Sequence, residues 1–262
     1  MLIAQISDFH VVAEGQLWRD QIDVNARLEA AVQHLNGLDP RPDVVIATGD
    51  IVQNGRREEY DAAASILSAL RMPCYVLPGN HDDRDEMRRA FASGGYLPAE
   101  GSLQYNVEEF PLRIIALDTL CPGEDRGELG ETRTRWLALK LVEQLERPTI
   151  VAMHHPPFLT GIRGLDGIRC FGVEGLAGAI TANLNVEAIL CGHVHRTVAV
   201  RWNGTFGCIA PSTGFQIALD FRENGPMSWI CEPPACLLHH WTEETGLVTH
   251  ESPIGGFEGK PF

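Results

Sequence analysis

The chain has 262 residues, 44% of them hydrophobic and 21% charged, with a formal net charge of −14. That length suits one large α/β domain, and so acidic a surface argues against a nucleic-acid polymer as partner, which needs a basic stripe. No apolar run is long enough for a bilayer, and Met1 to Asp8 lacks the form of a signal peptide, so a cytoplasmic protein without a membrane partner is expected.

Leu2 to Ile6 reads as a first buried strand and Val11 to Gln21, with Gly15 and Trp18, as a loop. Asp23 is placed to cap a helix reaching about Leu38, because Leu28, Ala31, Val32 and Leu35 fall at i, i+3, i+4, i+7 spacing. Asp39-Pro40-Arg41-Pro42 stops it. Val44 to Ala47 is the β-branched run of a strand covered on both faces. Glu58 to Leu70 is a second amphipathic helix, Cys74 to Leu77 a strand, and a short charged helix starts at Asp83. Gln104 to Val107 and Arg113 to Asp118 form a hairpin pair. Helix Thr132 to Leu145, strand Thr149 to Met153, helix Glu174 to Leu184 and strand Ala188 to Cys191 follow. The texture then changes. Thr197 to Trp202, Thr205 to Ile209, Gln216 to Leu219, Met227 to Cys231, Cys236 to Trp241 and Leu247 to Glu251 alternate between turn residues, with Asn203-Gly204 a two-residue hairpin turn. The expected organisation is a single domain over 1–251, strand-rich from about 197, and a Gly- and Pro-rich arm over 252–262 that serves as a surface arm or oligomer contact.

The seven cysteines form no CxxC pair and are odd in number, which argues against a disulfide framework or a thiolate zinc site. Metal chemistry points elsewhere. Asp8-Phe9-His10, Gly49-Asp50, Gly79-Asn80-His81-Asp82, His154-His155 and Gly192-His193-Val194-His195 each follow a short apolar run. Together they supply carboxylate, imidazole and amide groups, the N/O set of Zn, Mn or Fe. Asp8 and His10 are two apart and share a face of an extended segment. Asp50 ends the most apolar strand, where a lone charge is costly, and its two oxygens suit it to bridge two cations. Gly79 permits a tight turn that points Asn80 back at the sheet edge. Pro156-Pro157 stiffens the loop after His154 and His155, of which one suits a ligand and its neighbour a supporting role. His193 and His195 have the His-x-His spacing at the end of a buried run. Each piece alone has a bland reading as a cap, turn or core histidine; the five in this order are read as one binuclear site built at the C-terminal edge of an α/β sheet.

The order D-x-H, GD, GNHD, HH, GHxH resembles the calcineurin-like metallophosphoesterases, and within them the bacterial cyclic-nucleotide and glycerophosphodiester phosphodiesterases. The resemblance spans Asp8 to His195. It implies a four-layer α/β/β/α sandwich with two mixed sheets, the all-strand end completing the second. It implies one metal on Asp8, His10, Asp50 and His195 and another on Asp50, Asn80, His154 and His193, the ions being Fe, Mn, Zn or Co, with His81 beside the leaving group. Asp118 matches a family position and reads as structural. Ala210 to Gln216 resembles a segment of the cyclic-nucleotide members. Phe215 stands where glycerophosphodiesterase relatives tend to carry His, which leaves the substrate open.

The expected activity is hydrolysis of small phosphodiesters by in-line attack of a metal-bridging hydroxide. Two divalent ions, less Asp8, Asp50 and one hydroxide, leave a net charge of about +1, which matches a phosphodiester monoanion. Asn80 is expected to stabilise phosphoryl charge, and His81 either to donate to the departing alkoxide, a role a metal-bound water could take instead, or to fix the substrate's orientation. Specificity is assigned to Val11 to Gln21, to Phe158 to Phe171 and to the region of Phe215. Trp18, Phe158, Phe171 and Phe215 are the candidates to stack on a base, and Gly161 to Gly167 is read as a flexible lid. The alternatives are a phosphomonoesterase using Arg19, Arg163, Arg169 or Arg196 for the second charge, and a non-catalytic scaffold. A homodimer or higher homo-oligomer is compatible with the strand-rich end.

Overall fold

A computed structural model of the chain describes residues 1–257 and 260. In chain order its elements are β1 (Leu2–Ile6), α1 (Val24–Gly37), β2 (Val44–Ala47), α2 (Arg57–Leu67), β3 (Cys74–Val76), α3 (Arg84–Ala90), β4 (Tyr105–Val107), β5 (Arg113–Leu117), β6 (Gly127–Glu128), α4 (Glu131–Val142), β7 (Thr149–Met153), α5 (Arg163–Asp166), β8 (Cys170–Phe171), α6 (Glu174–Ala182) and β9 (Val186–Cys191). There follow β10 (Val198–Trp202), β11 (Thr205–Ile209), β12 (Gln216–Ile217), β13 (Trp229–Ile230), β14 (Ala235–Thr242) and β15 (Gly246–Pro253).

One sheet has the order β15-β14-β1-β2-β3 and the other β10-β11-β9-β7-β5-β4. Both are mixed: β1–β2–β3 and β11–β9–β7–β5 run parallel, β14 and β15 add antiparallel at one end of the first sheet, whose other edge is β3, and β10 and β4 close both edges of the second antiparallel. Three apolar layers hold the stack. Leu28, Val32 and Leu35 of α1 and Tyr60, Ala63 and Leu67 of α2 pack on Ala4, Ile6, Val45 and Ala47. Leu137 and Leu141 of α4 and Leu176 and Ile180 of α6 pack on Ile115, Val151 and Ile189. Between the sheets, Ile3, Val44 and Ile46 meet Ile114, Ile150 and Leu190. The result is the expected α/β/β/α sandwich, in which strands buried on both faces read as continuous apolar runs.

Two expectations need correction. The strand-rich end does not complete one sheet: β10 and β11 extend the sheet of β9, while β14 and β15 extend the sheet of β1. An antiparallel strand can pair with either exposed edge, so alternation alone could not assign them. The arm expected from residue 252 starts late, because Ser252 and Pro253 pair with Cys236 and Ala235. Glu258, Gly259, Pro261 and Phe262 of that arm lie outside the described residues. The hairpin at Asn203-Gly204 forms as expected, both residues at positive φ between the paired Trp202 and Thr205. Among the described residues no helix is long and apolar enough to cross a membrane.

Candidate metal centre

The parallel strands β1, β2, β3, β7 and β9 end at one edge, and each leads directly into one polar piece. Side chains nearly two hundred residues apart meet there because parallel pairing aligns the C-terminal ends. The loops interlock: Asp8 N donates to Gly49 O at 3.0 Å and His10 N to Asp50 O at 3.0 Å. Asp8, His10, Asp50, His193 and His195 all have positive φ, between 51° and 72°. Each such backbone costs on the order of 1–3 kcal/mol and persists only where the surroundings enforce it. Two glycines allow the close approach. A Cβ on Gly49, which has φ +92°, would lie 2.4 Å from Nδ1 of His154, and one on Gly79 would lie 2.2 Å from Oδ1 of Asp50.

Two donor sets result. Asp8, His10, Asp50 and His195 place one ligand atom each within 4.8 Å of the others. His195 Nδ1 donates to the Phe215 carbonyl at 2.8 Å, so its Nε2 carries a lone pair. That lone pair faces His10 Nε2 at 3.1 Å and Asp8 Oδ1 at 3.4 Å. In the second set, His154 Nδ1 donates to Thr48 O at 2.7 Å. Its Nε2 faces Asn80 Oδ1 at 3.2 Å and Asp50 Oδ2 at 3.4 Å, and His193 Nδ1 lies 3.1 Å from the same Asn80 oxygen. Imidazole, carboxylate and amide groups thus converge on two points where a proton or a cation has to lie between them, and the mixed N/O set suits a metal ion at each. The buried His10 Nδ1 and His193 Nε2 have no hydrogen-bond partner among the described residues.

His155 also falls within reach of His154 and His193. Both its nitrogens are engaged, Nδ1 with Thr119 Oγ1 at 2.8 Å and Nε2 with Asp125 O at 3.2 Å. It is thereby held edge-on to the His154 ring, with centroids 4.7 Å apart. Burial opposes charge throughout the site. At Asp50 the surrounding His154, His81 and His10 outweigh it and hold the carboxyl well below the usual range. At Asp8 burial prevails, aided by Asp50, and the carboxyl rises. Burial also lowers His193, to about 3, whereas at His154 the Asp50 carboxylate overcomes burial and raises the ring to about 9.

The calcineurin-like phosphoesterase family model matches residues 1–197. The chain belongs to that family. It is 39% identical over 264 residues to the "Probable glycerophosphodiester phosphodiesterase GpdQ" of Arcobacter nitrofigilis, covering 100% of this chain and 97% of that protein. To the Glycerophosphodiester phosphodiesterase GpdQ of Enterobacter lignolyticus it is 34% identical, covering 99% and 93%. To the 3′,5′-cyclic adenosine monophosphate phosphodiesterase CpdA of Escherichia coli K12 it is 30% identical, covering 82% and 76%. A dimetal phosphatase from Danio rerio shares the fold with a TM-score of 0.68 at 13% identity, covering 97% of this chain and 99% of that one.

In this phosphoesterase a cleft of about 530 Å³ opens over both donor sets and is lined by His10, Asp50, Asn80, His81, His193 and His195 among others. His81 N donates to Asp50 Oδ1 at 2.9 Å, and His81 Nδ1 to the Gln53 carbonyl at 2.8 Å, which leaves Nε2 as the free nitrogen. Trp18 and Phe215 stack on each other with centroids 3.8 Å apart, and both are buried. Phe158 is packed in the core beside α6, and Phe171 lies under the Arg169 guanidinium. Trp18, Phe158 and Phe215 are thus buried, and Phe171 is half-buried. Of the four arginines, Arg19 lines the cleft. Arg196 is held by Glu232 and the Ile217 carbonyl, Arg169 bonds Asp166 O, and Arg163 pairs with Glu223.

The loop read as a flexible lid is tied down by hydrogen bonds and short regular elements. Asp166 accepts from Thr160 N, Thr160 Oγ1 and Gly161 N, α5 spans its centre, and β8 pairs with β6. Asp118 has the structural role expected of it, bound to Arg84 Nε at 2.6 Å and accepting from Leu103 N at 2.7 Å. Sequence reasoning missed Ser212, whose hydroxyl donates to Asp8 O and accepts from Gly214 N and Phe215 N. It missed Gln53 as well, which receives both Trp18 Nε1 and His81 Nδ1. A lone Ser or Gln in a loop carries no pattern that would have signalled either.

Proposed function

We propose that this chain is a binuclear-metal phosphodiesterase whose preferred substrates are glycerophosphodiesters. Asp8, His10, Asp50 and His195 would hold one cation, and Asp50, Asn80, His154 and His193 the other, with Asp50 shared. When bound, such a pair supplies a low-pKa water nucleophile and offsets phosphoryl charge. The chain's own groups do the rest. Asn80 presents its neutral oxygen to the second donor set. His81, with Nδ1 tied to the Gln53 carbonyl, offers Nε2 to the departing oxygen. Trp18 and Phe215 wall the cleft beside His10, 5.2 Å from the Phe215 ring.

The observation that carries the substrate choice is the Trp18–Phe215 stack. The two rings cover each other on one face, His10 and His195 pack against Phe215 and Trp229 against Trp18, and both are buried, which leaves little platform for a purine, whereas a glycerol or a small alcohol needs none. The GpdQ relatives, at 39% and 34% identity over nearly their whole lengths, support the same reading. A single cleft arginine, Arg19, favours a diester monoanion over a monoester dianion.

The test is Mn²⁺-reconstituted turnover of glycerophosphocholine, cyclic AMP, bis(p-nitrophenyl) phosphate and p-nitrophenyl phosphate, with Asn80→Ala as control. Glycerophosphocholine is expected to exceed cyclic AMP in kcat/KM by roughly tenfold or more, about 1.4 kcal/mol of transition-state binding. Preference for cyclic AMP would overturn the substrate assignment. Preference for the monoester would overturn the diesterase reading.

A further inference from the structure

A line of polar side chains crosses the apolar layer between the two sheets. It starts at Thr249 on the edge strand β15, whose Oγ1 lies 2.8 Å from Nδ1 of His239 on β14. His239 Nε2 lies 3.0 Å from Gln5 Oε1 on β1. Gln5 Nε2 then donates to Thr48 Oγ1 at 3.1 Å and across to the Cys191 carbonyl of the other sheet at 2.8 Å. Cys191 O can only accept, which fixes the amide orientation and makes His239 Nε2 the donor to Oε1. Burial pushes the His239 imidazole down to about 3, so above that pH it stays neutral, with one nitrogen donating and the other accepting. Gln5, Thr48 and His239 are wholly buried.

Stability does not explain this line. Ile3 and Leu237 fill the same inter-sheet layer with hydrocarbon, and exchanging both members of a buried polar pair for apolar groups of similar shape is close to neutral. Its end points are more informative. Thr48 is the residue after β2, directly before Gly49-Asp50, and its carbonyl receives His154 Nδ1. Cys191 closes β9 directly before Gly192-His193-Val194-His195. One amide thus grips, from opposite sheets, the Thr48 hydroxyl just past β2 and the carbonyl of the last residue of β9, the strands that lead to Asp50, His193 and His195.

We propose that Gln5 and His239 are positioning residues for the two-metal centre, clamping the ends of β2 and β9 across the sheets and so setting the affinity and spacing of the cation pair. The inference rests on the two-metal reading of the site. Partners of metal ligands govern affinity through orientation, and here that control is relayed through backbone rather than through the ligands' own rings.

The experiment compares the full-length wild type with Gln5→Leu/His239→Leu and with Leu237→Ala, using Mn²⁺ as the probe. The double variant is expected to fold, because Cys191 O retains Ala210 N and Thr48 Oγ1 retains the Ile6 carbonyl. Titration calorimetry of the stripped proteins should show Mn²⁺ binding weakened by roughly 10–100-fold in the double variant. Electron paramagnetic resonance of the loaded protein should show an altered spin-coupled signal. Leu237→Ala thins the same layer beside Gln5, its partner across β1 and β14, but keeps every hydrogen bond of the polar line, and is expected to lower Tm while leaving Mn²⁺ affinity unchanged. Wild-type affinity and signal in the double variant would overturn the inference, as would an equal loss of affinity in Leu237→Ala. A wild type that binds fewer than two Mn²⁺ would overturn the two-metal reading, and this inference with it.

Discussion

At the scale of residues, what the site asks of the chain is mostly backbone. Five of its seven candidate ligands, Asp8, His10, Asp50, His193 and His195, have positive φ, a conformation that side chains of this kind adopt only under constraint. The motifs exposed which residues converge, because carboxylate and imidazole in that order have no better explanation. They did not expose the conformation or the hydrogen-bonded neighbours, since neither Gln53 nor Ser212 differs in type from an ordinary loop residue. Gln53 carries a prediction. Its carbonyl receives His81 Nδ1, and its side chain receives Trp18 Nε1 at 2.8 Å. Trp18→Phe keeps the stack on Phe215 but removes that donor, so Gln53 and then His81 lose their restraint. Only a poor leaving group needs the proton His81 supplies. Turnover of glycerophosphocholine should therefore fall by about tenfold while bis(p-nitrophenyl) phosphate, with its stable phenolate, is hydrolysed almost as by wild type. Steady-state rates on both substrates measure the ratio; an equal fall would show that Trp18 does not act through His81.

At the scale of elements, legibility followed periodicity. The i, i+3, i+4 spacing of Leu28, Ala31, Val32 and Leu35 gave α1 to within a residue at either end. The apolar runs of β2 and β7 came out with the bounds expected. Helices that fray gave wider readings: Glu58 to Leu70 forms only to Leu67, and Thr132 to Leu145 only to Val142. The expected strands Gln216 to Leu219 and Met227 to Cys231 shrink to pairs of residues in β12 and β13. The lid was misread because its three glycines suggest freedom, while the residue that removes it, Asp166, is one carboxylate among many. That carboxylate closes the loop from Thr160 to α5 by three hydrogen bonds, and Leu165 and Ile168 beyond it line the cleft. Asp166→Ala should raise KM several-fold with kcat nearly unchanged, since the loop meets substrate but not the reacting atoms. The same variant should be nicked faster by protease within residues 160–167. Unchanged KM and unchanged cleavage would mean that α5 and the β6–β8 pairing hold the loop without Asp166.

At the scale of the whole molecule, the two sheets form a stable frame with a destabilised edge. Asp8 and Asp50 are buried at that edge, Asp50 adds to the cost of ionising Asp8, and histidine nitrogens crowd the same points. A frame of this size can tolerate such a cluster, but cations that bind only the folded chain remove the conflict and add their binding energy to its stability. At a free concentration of 100 Kd, one site contributes about 2.7 kcal/mol. For a chain of this length each kcal/mol moves Tm by about 2–4 °C. Chelation should therefore lower Tm by roughly 5–10 °C per vacated site, and Mn²⁺ should restore it in a concentration-dependent way. Scanning calorimetry with and without chelator measures this directly. Asn80→Ala separates the sites, because Asn80 belongs only to the second donor set. The variant should keep the part of the Mn²⁺ shift due to Asp8, His10, Asp50 and His195 and lose much of the rest. A full wild-type shift in Asn80→Ala would remove Asn80 from the ligand set and return its role to that of a turn residue behind Gly79.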